Sequence, residues 1–256
     1  MTHRLTSMKA KLQVPLGDAK DYTERDWLQY GDIPNPTTRE KMIMLAIEQI
    51  VRVGPADFTA VQVCDRLGIK HPMINHYFGN RDTFMAEVNW WAYREWVKHV
   101  DRTFRAAPRD PRKRLRAFVE GEVEWAKRMG GMHILIHYPM VSQSTMTILS
   151  GQHQVEMQKL FEYHLALITV CVRDIHKGTV SDFDFDADSV PKRKLVTPPR
   201  YVLAATQISW ATHGLASWNS GKHVATQHIE DRSLTSLTTQ YAVNQMIKRI
   251  LSFAEQ

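Results

Sequence analysis

The chain has 256 residues, 43% of them hydrophobic and 23% charged, an ordinary globular balance with length enough for one large core or two modest ones. Its formal net charge of +6 permits an anionic partner such as nucleic acid without demanding one. No apolar run approaches the roughly 18 residues a bilayer span needs, and no apolar signal core follows the first methionine, so a cytoplasmic chain with no membrane partner is expected.

Residues 1–36 read as an extension in which Lys9, Lys11, Lys20 and Arg25 are offset by Asp18, Asp21, Glu24 and Asp26. A poorly ordered tail or one short packed helix is favoured over a basic arm carrying Arg4, Lys9 and Lys11 to DNA. Asn35-Pro36-Thr37 stops the chain and restarts it, with Glu40 three residues after Thr37 in capping-box spacing. Ile43, Ile47 and Ile50 repeat at helical intervals until Gly54-Pro55 ends the helix. At its start, Thr38 and Arg39 are placed to touch phosphate, because unpaired N–H groups and the helix dipole point that way.

The stretch Phe58 to Arg81 reads as two short helices joined by a tight turn. Thr59 caps the first, with Gln62 at capping-box spacing. Val63 and Leu67 share a face, Gly68 reverses the backbone, and Ile69 plugs the gap. The spacing predicts a second helix from about Lys70 to Tyr77, with Pro72 in its first turn and Ile74 and Phe78 turned inward. Its outward set, His71, Met73, Asn75 and His76, is free of acids and suits the major groove. Thr59, Lys70, Tyr77 and Arg81 complete the expected DNA-binding group, with Lys70 and Arg81 serving phosphates.

Taken together, Thr59, Val63-Cys64, Leu67-Gly68-Ile69, Ile74, Tyr77-Phe78 and Arg81 resemble the DNA-binding signature of the tetracycline-repressor (TetR) family of one-component bacterial regulators. The resemblance covers Thr37 to about Val88. Asn75, Lys70 and Cys64 depart from it, standing where the family often has a phosphate-contacting tyrosine, a capping serine and a small alanine. It implies a transcriptional regulator, usually a repressor, that dimerises by its last two helices and leaves double-stranded operator DNA when a small molecule binds the larger domain.

Beyond Asn80 a long helix is expected, carrying Phe84, Val88, Trp91, Trp96 and Val100 until Ala107-Pro108. It spans both domains and is a physical lever between them. Asp110-Pro111 starts the next helix, cap then first-turn proline, to about Met129. Leu115, Phe118, Glu122, Trp125 and Met129 line one face with the acid at its centre. Such a glutamate is either paired in the core or a polar anchor in a ligand pocket, and the two readings weigh evenly.

Gly130-Gly131 is expected to break that helix, followed by a short apolar segment, His133 to Tyr138, before Pro139. His133 and His137 are four apart, a spacing able to ligate a metal from one face. No cysteine or carboxylate at ligand spacing completes the set, so hydrogen-bonded core or pocket histidines are expected and no metal or other cofactor. A long helix from Ser142 to about His176 carries His153 and His164 on its apolar side, and Phe161 is assigned to the pocket. Residues 178–199 read as a mobile loop, their Asp-Phe-Asp-Phe-Asp run lacking the glycine and closing glutamate of an EF-hand. Cys64 and Cys171 lie on apolar faces as reduced structural thiols.

Two final helices are expected near 200–219 and 234–254, each apolar on two sides, which a second copy of the chain would cover. The resulting expectation is an all-α chain: an N-terminal helix-turn-helix unit over residues 37–80 and a larger helical ligand-binding and dimerisation domain over 81–256. The ligand group comprises Trp96, Phe118, Glu122, Trp125 and Met129 together with His133, His137, Phe161, His164 and Trp210, fitting a large apolar or aromatic effector. The rival is a helical enzyme using Glu122 and the histidines, for which no nucleophile–base constellation provides catalytic residues.

Overall fold

In the computed structural model residues 36–137, 142–186, 199–225, 241, 243–249 and 252 are described, and every regular element among them is helical. The N-terminal extension, Pro139 and most of the expected last helix lie outside the described residues.

Helix α1, Thr38–Val53, buries Met42, Ile43, Ala46, Ile47 and Ile50 along one side. In α2, Ala60–Leu67, the start is fixed as the spacing predicts: Gln62 Oε1 accepts from the Thr59 N–H at 3.2 Å and from Gln49 Nε2 of α1 at 3.2 Å. Gly68 then adopts φ 65°, the left-handed conformation that lacks a Cβ penalty only for glycine, and Ile69 N–H closes on the Cys64 carbonyl at 3.0 Å.

The second helix of the pair, α3, is Met73–Phe78, shorter than the expected span from Lys70. Lys70 to Pro72 form a tighter turn instead, with Met73 N–H bonded to the Lys70 carbonyl and Ile74 N–H to that of His71. Pro72 takes the cap position, where its missing N–H is harmless. Ile74 and Phe78 are buried, and the Phe78 ring lies 4.7 Å from Phe84 of the next helix.

That helix, α4, runs Arg81–Ala106, its first turn capped by Asn80 Oδ1 on the Thr83 N–H at 2.8 Å. It leaves the helix-turn-helix pair and enters the larger bundle without a break. Helix α5, Pro111–His137, starts where Asp110 Oδ1 accepts from Arg112 and Lys113 N–H. Helix α6, Gln143–Lys177, is capped by Ser142, and α7 is Pro199–Ala225. The bundle packs α5 on α4 and α7, and α6 on α4 and α7, while α1 reaches both α4 and α5. Asp82 at the foot of α4 accepts hydrogen bonds from Ser142 and Thr145 at the start of α6, at 2.7 and 2.8 Å, and from Ser144. Those bonds hold its carboxyl below the usual range.

Gly130-Gly131 does not terminate α5, contrary to expectation; helical hydrogen bonding continues to His137. Gly131 is required for a different reason. A Cβ there would sit 2.2 Å from the Ile50 carbonyl oxygen of α1, so the two helices meet backbone to backbone. The helix cannot be straight between Glu122 and His137. Fifteen residues of straight helix separate Glu122 and His137 by roughly 22 Å, yet ligand atoms of the two side chains lie within 4.8 Å of one another. The axis must therefore bend between them.

The expected loop over 178–199 does not lie free in its described part. Phe183 and Phe185 are buried, and Arg105 of α4 donates to their carbonyls at 2.9 and 2.7 Å. Buried Asp174 accepts from the Ser181 N–H at 2.7 Å, fastening the chain just after α6. Both cysteines are buried and free, as expected.

Candidate functional site

The outward face of the helix-turn-helix carries Thr59, Lys70, His71, Asn75, His76 and Arg81, all exposed, with Met73 and Tyr77 half-buried beside them. Lys70 and Arg81 bring cationic side chains to this face, and Asn75 and His76 bring exposed polar groups. Two expected members are otherwise engaged. His71 Nε2 lies 2.9 Å from Asp65 Oδ1, across the turn. Arg39 pairs with Glu87 of α4 at 3.3 Å, and its guanidinium lies 4.9 Å from the Phe78 ring centre. Arg39 thus joins α1 to α4 over the end of α3. Thr38 is half-buried at the first turn of α1.

A second constellation lies inside the bundle, centred on Glu122. The side chain is buried, as its place on the apolar face of α5 demands. Trp96 Nε1 of α4 donates to Oε2 at 2.8 Å. Oε1 faces His164 Nδ1 of α6 at 3.9 Å and His213 Nε2 of α7 at 3.8 Å, both beyond hydrogen-bond reach, and has no hydrogen-bond partner. His137 returns to the cluster across the bend, its ring 4.3 Å from that of His213 and 4.7 Å from Trp96. His133, one turn earlier, sits 4.5 Å from His137 and 3.2 Å from Ser217 Oγ. The Phe118 ring packs on His164 at 5.0 Å.

The electrostatics of this interior are uneven. Burial by itself would push the Glu122 carboxyl up, but His213, His164 and His137 outweigh it and bring it down to about 2. Burial pushes His133 and His164 down to about 4 and His137 well below its ordinary value. Near pH 7 the cluster therefore holds a carboxylate beside the neutral rings of His133, His137 and His164, each with a nitrogen lone pair.

No family model matches the chain. Among curated proteins, the helix-turn-helix transcriptional regulator BetI of Stenotrophomonas maltophilia is 32% identical over 89 residues, 35% of this chain and 45% of the relative. A BetI of Chromohalobacter salexigens is 29% identical over 93 residues, 44% of its length. The chain thus spans about half the length of the curated relatives it matches, and the likeness covers its N-terminal part. The sequence likeness is therefore to helix-turn-helix transcriptional regulators, over that part alone. Over the longer chain, a solved structure of a protein of unknown function from Rhodococcus sp. RHA1 superposes with a TM-score of 0.56 at 12% identity, covering 87% of this chain and 97% of that one. This is a likeness of fold.

The ligand group expected from the sequence divides. Trp96, Phe118, Glu122, His133, His137 and His164 come together. Trp125 and Met129 are buried on the same helix, the Trp125 ring 5.8 Å from His99. Phe161 and Trp210 do not join: they are 54% and 70% exposed. The spacing also denied His133 and His137 a carboxylate partner, whereas the bend in α5 brings Glu122 to them. His213 was missed. It follows Thr212 on the buried face of α7, and Ser217 stands one turn further on; that four-residue spacing was the available signal.

Proposed function

We propose that the chain is a DNA-binding transcriptional regulator, a repressor that grips a near-palindromic operator as a homodimer and leaves it when a small effector enters the bundle around Trp96, Phe118 and Glu122. The observation that carries this reading is the TetR-type helix-turn-helix, with its exposed acid-free set at α3 and a continuous α4 leading from it to Trp96. The bend in α5 supports the switch: Glu122 and His137 lie on either side of it, and Gly131 between them abuts the Ile50 carbonyl of α1. An effector that opens or closes the bend pushes on the DNA-binding unit. Retarded migration of DNA from the region upstream of the chain's own coding sequence tests the reading, and absence of any retained fragment at low salt sinks it.

Within this reading, Arg81→Ala weakens binding to all sequences alike and lowers the salt slope by about 1, the contribution of one phosphate contact. Asn75→Ala or Met73→Ala changes which sequence is preferred. A uniform loss from all three variants on every sequence would contradict this division.

The homodimer is proposed through α7 and the last helix. Leu203, Trp210 and Tyr241 are 52%, 70% and 66% exposed, and large apolar side chains on such faces favour a second copy over water. Trp210→Glu is expected to yield a folded monomer by sedimentation at micromolar concentration. Wild-type chain that sediments as a monomer removes the dimer.

A further inference from the structure

We infer that Glu122, His137 and His213 are the ligands of a divalent transition-metal ion, bound through one carboxylate oxygen and two imidazole nitrogens with a coordination position left open. The inference concerns the site itself and stands whether or not the chain regulates transcription.

The first ground is the geometry of the donors. One ligand atom from each of the three residues lies within 4.8 Å of the others, and Glu122 Oε1 is 3.8 Å from His213 Nε2. Bonds of about 2.0–2.2 Å in a tetrahedral site place ligand atoms roughly 3.3–3.5 Å apart, so a contraction on the order of 1 Å closes the set. A cluster built for hydrogen bonding would instead have drawn Oε1 to about 2.8 Å from one nitrogen.

The second ground is what the donors lack. Glu122 Oε1, His137 Nε2 and His164 Nε2 are buried without hydrogen-bond partners. Two of these atoms, Glu122 Oε1 and His137 Nε2, belong to the ligand set, whereas buried polar groups are almost always paired. A cation satisfies the carboxylate oxygen and the imidazole lone pair together.

The third ground is support from outside the ligand set. Trp96 Nε1 holds Oε2 and leaves Oε1 directed at the histidines. Edge-on contacts from Trp96 to His137 and His164 fix both rings. His133 is tethered to Ser217 four residues along α7 from His213. Such bonds orient ligands in protein metal sites. Two nitrogens and one carboxylate without a thiolate suit zinc and its first-row neighbours; they fit neither soft copper(I) nor hard calcium. Cys64 and Cys171 are outside the set.

The test uses the full chain, stripped with chelator and desalted, and titrated with Zn²⁺ alone against a chromophoric competitor. One ion per chain with a dissociation constant below micromolar is expected. Co²⁺ should give visible bands of a four- or five-coordinate nitrogen and oxygen site without thiolate charge transfer. His213→Ala and Glu122→Gln should each lower affinity roughly 100-fold, while His153→Ala, outside the set, leaves it unchanged. His213 is half-buried, so its variant retains helicity by circular dichroism even if Glu122→Gln does not fold. Substoichiometric uptake, or affinity that survives joint replacement of His137 and His213 by alanine, overturns the inference.

Discussion

Gly131→Ala is expected to destabilise the fold by about 3 kcal/mol or more, at the upper end of what overpacking costs. The added methyl would lie 2.2 Å from the Ile50 carbonyl oxygen and the substituted residue 3.2 Å from Gly54 Cα. Both neighbours are backbone, so no rotamer change relieves the clash; α1 and α5 must separate. Gly151→Ala provides the contrast. It sits on exposed α6 with nothing within 4 Å of the new Cβ, and the lower entropy of the unfolded chain should stabilise the protein by about 0.5–1 kcal/mol. Urea midpoints at constant slope measure both. A Gly131→Ala protein as stable as the parent would mean that α1 and α5 are not in backbone contact.

The all-helical class and the cap positions were legible because they depend on local chemistry. Thr59 with Gln62, and Asp110, each act through atoms within three residues, a distance that sequence spacing resolves. Glu122 was legible for a related reason: an acid at the centre of an apolar stripe is buried wherever the stripe is buried. The role of Gly130-Gly131 was only half legible. A glycine pair reads as a helix stop by propensity, but what tertiary structure asked of Gly131 was a close approach to the Ile50 carbonyl within a continuing helix.

The donor set was illegible beyond that point, since Glu122, His137 and His213 are separated by 15 and 76 residues and only the bend and the packing of α7 bring them together. Arg39 shows the opposite failure. Its place at a helix start suggested phosphate, but its partner Glu87 lies on another helix, where no local pattern could announce it. Phe183 and Phe185 were hidden by the aspartates alternating with them, which made a packed segment read as a solvated loop.

In the metal-free chain, stability should fall as pH drops from 6.5 toward 4, and this loss should come from the histidines around Glu122. His133 and His164 titrate near 4 in the folded protein and near 6.5 when unfolded, and burial lowers His137 in the same direction. Between those values the unfolded state binds protons that the folded state refuses, so stability rises with pH throughout the window and is fully present above it. Each shift of this size is worth on the order of 3 kcal/mol. Glu122 acts below that window. Its carboxyl, brought from 4.5 to about 2, contributes stability that is complete above pH 4.5 and is lost as pH falls toward 2.

The groups facing one another across the cluster are Glu122, His133 and His137 from α5, Tyr93 and Trp96 from α4, His164 from α6 and His213 from α7, so the acid response belongs to the packed bundle as a whole. Unfolding free energies measured with chelator present at pH 6.5 and 5, where carboxylates other than strongly raised ones stay ionised, isolate the histidine contribution. A slope equivalent to about two or more protons taken up on unfolding is expected, reduced by about one in His164→Asn. Stability that stays flat between these two pH values, or a slope unchanged when His133 and His164 are replaced together, would mean that the rings are hydrated and the cluster is not a dry interior.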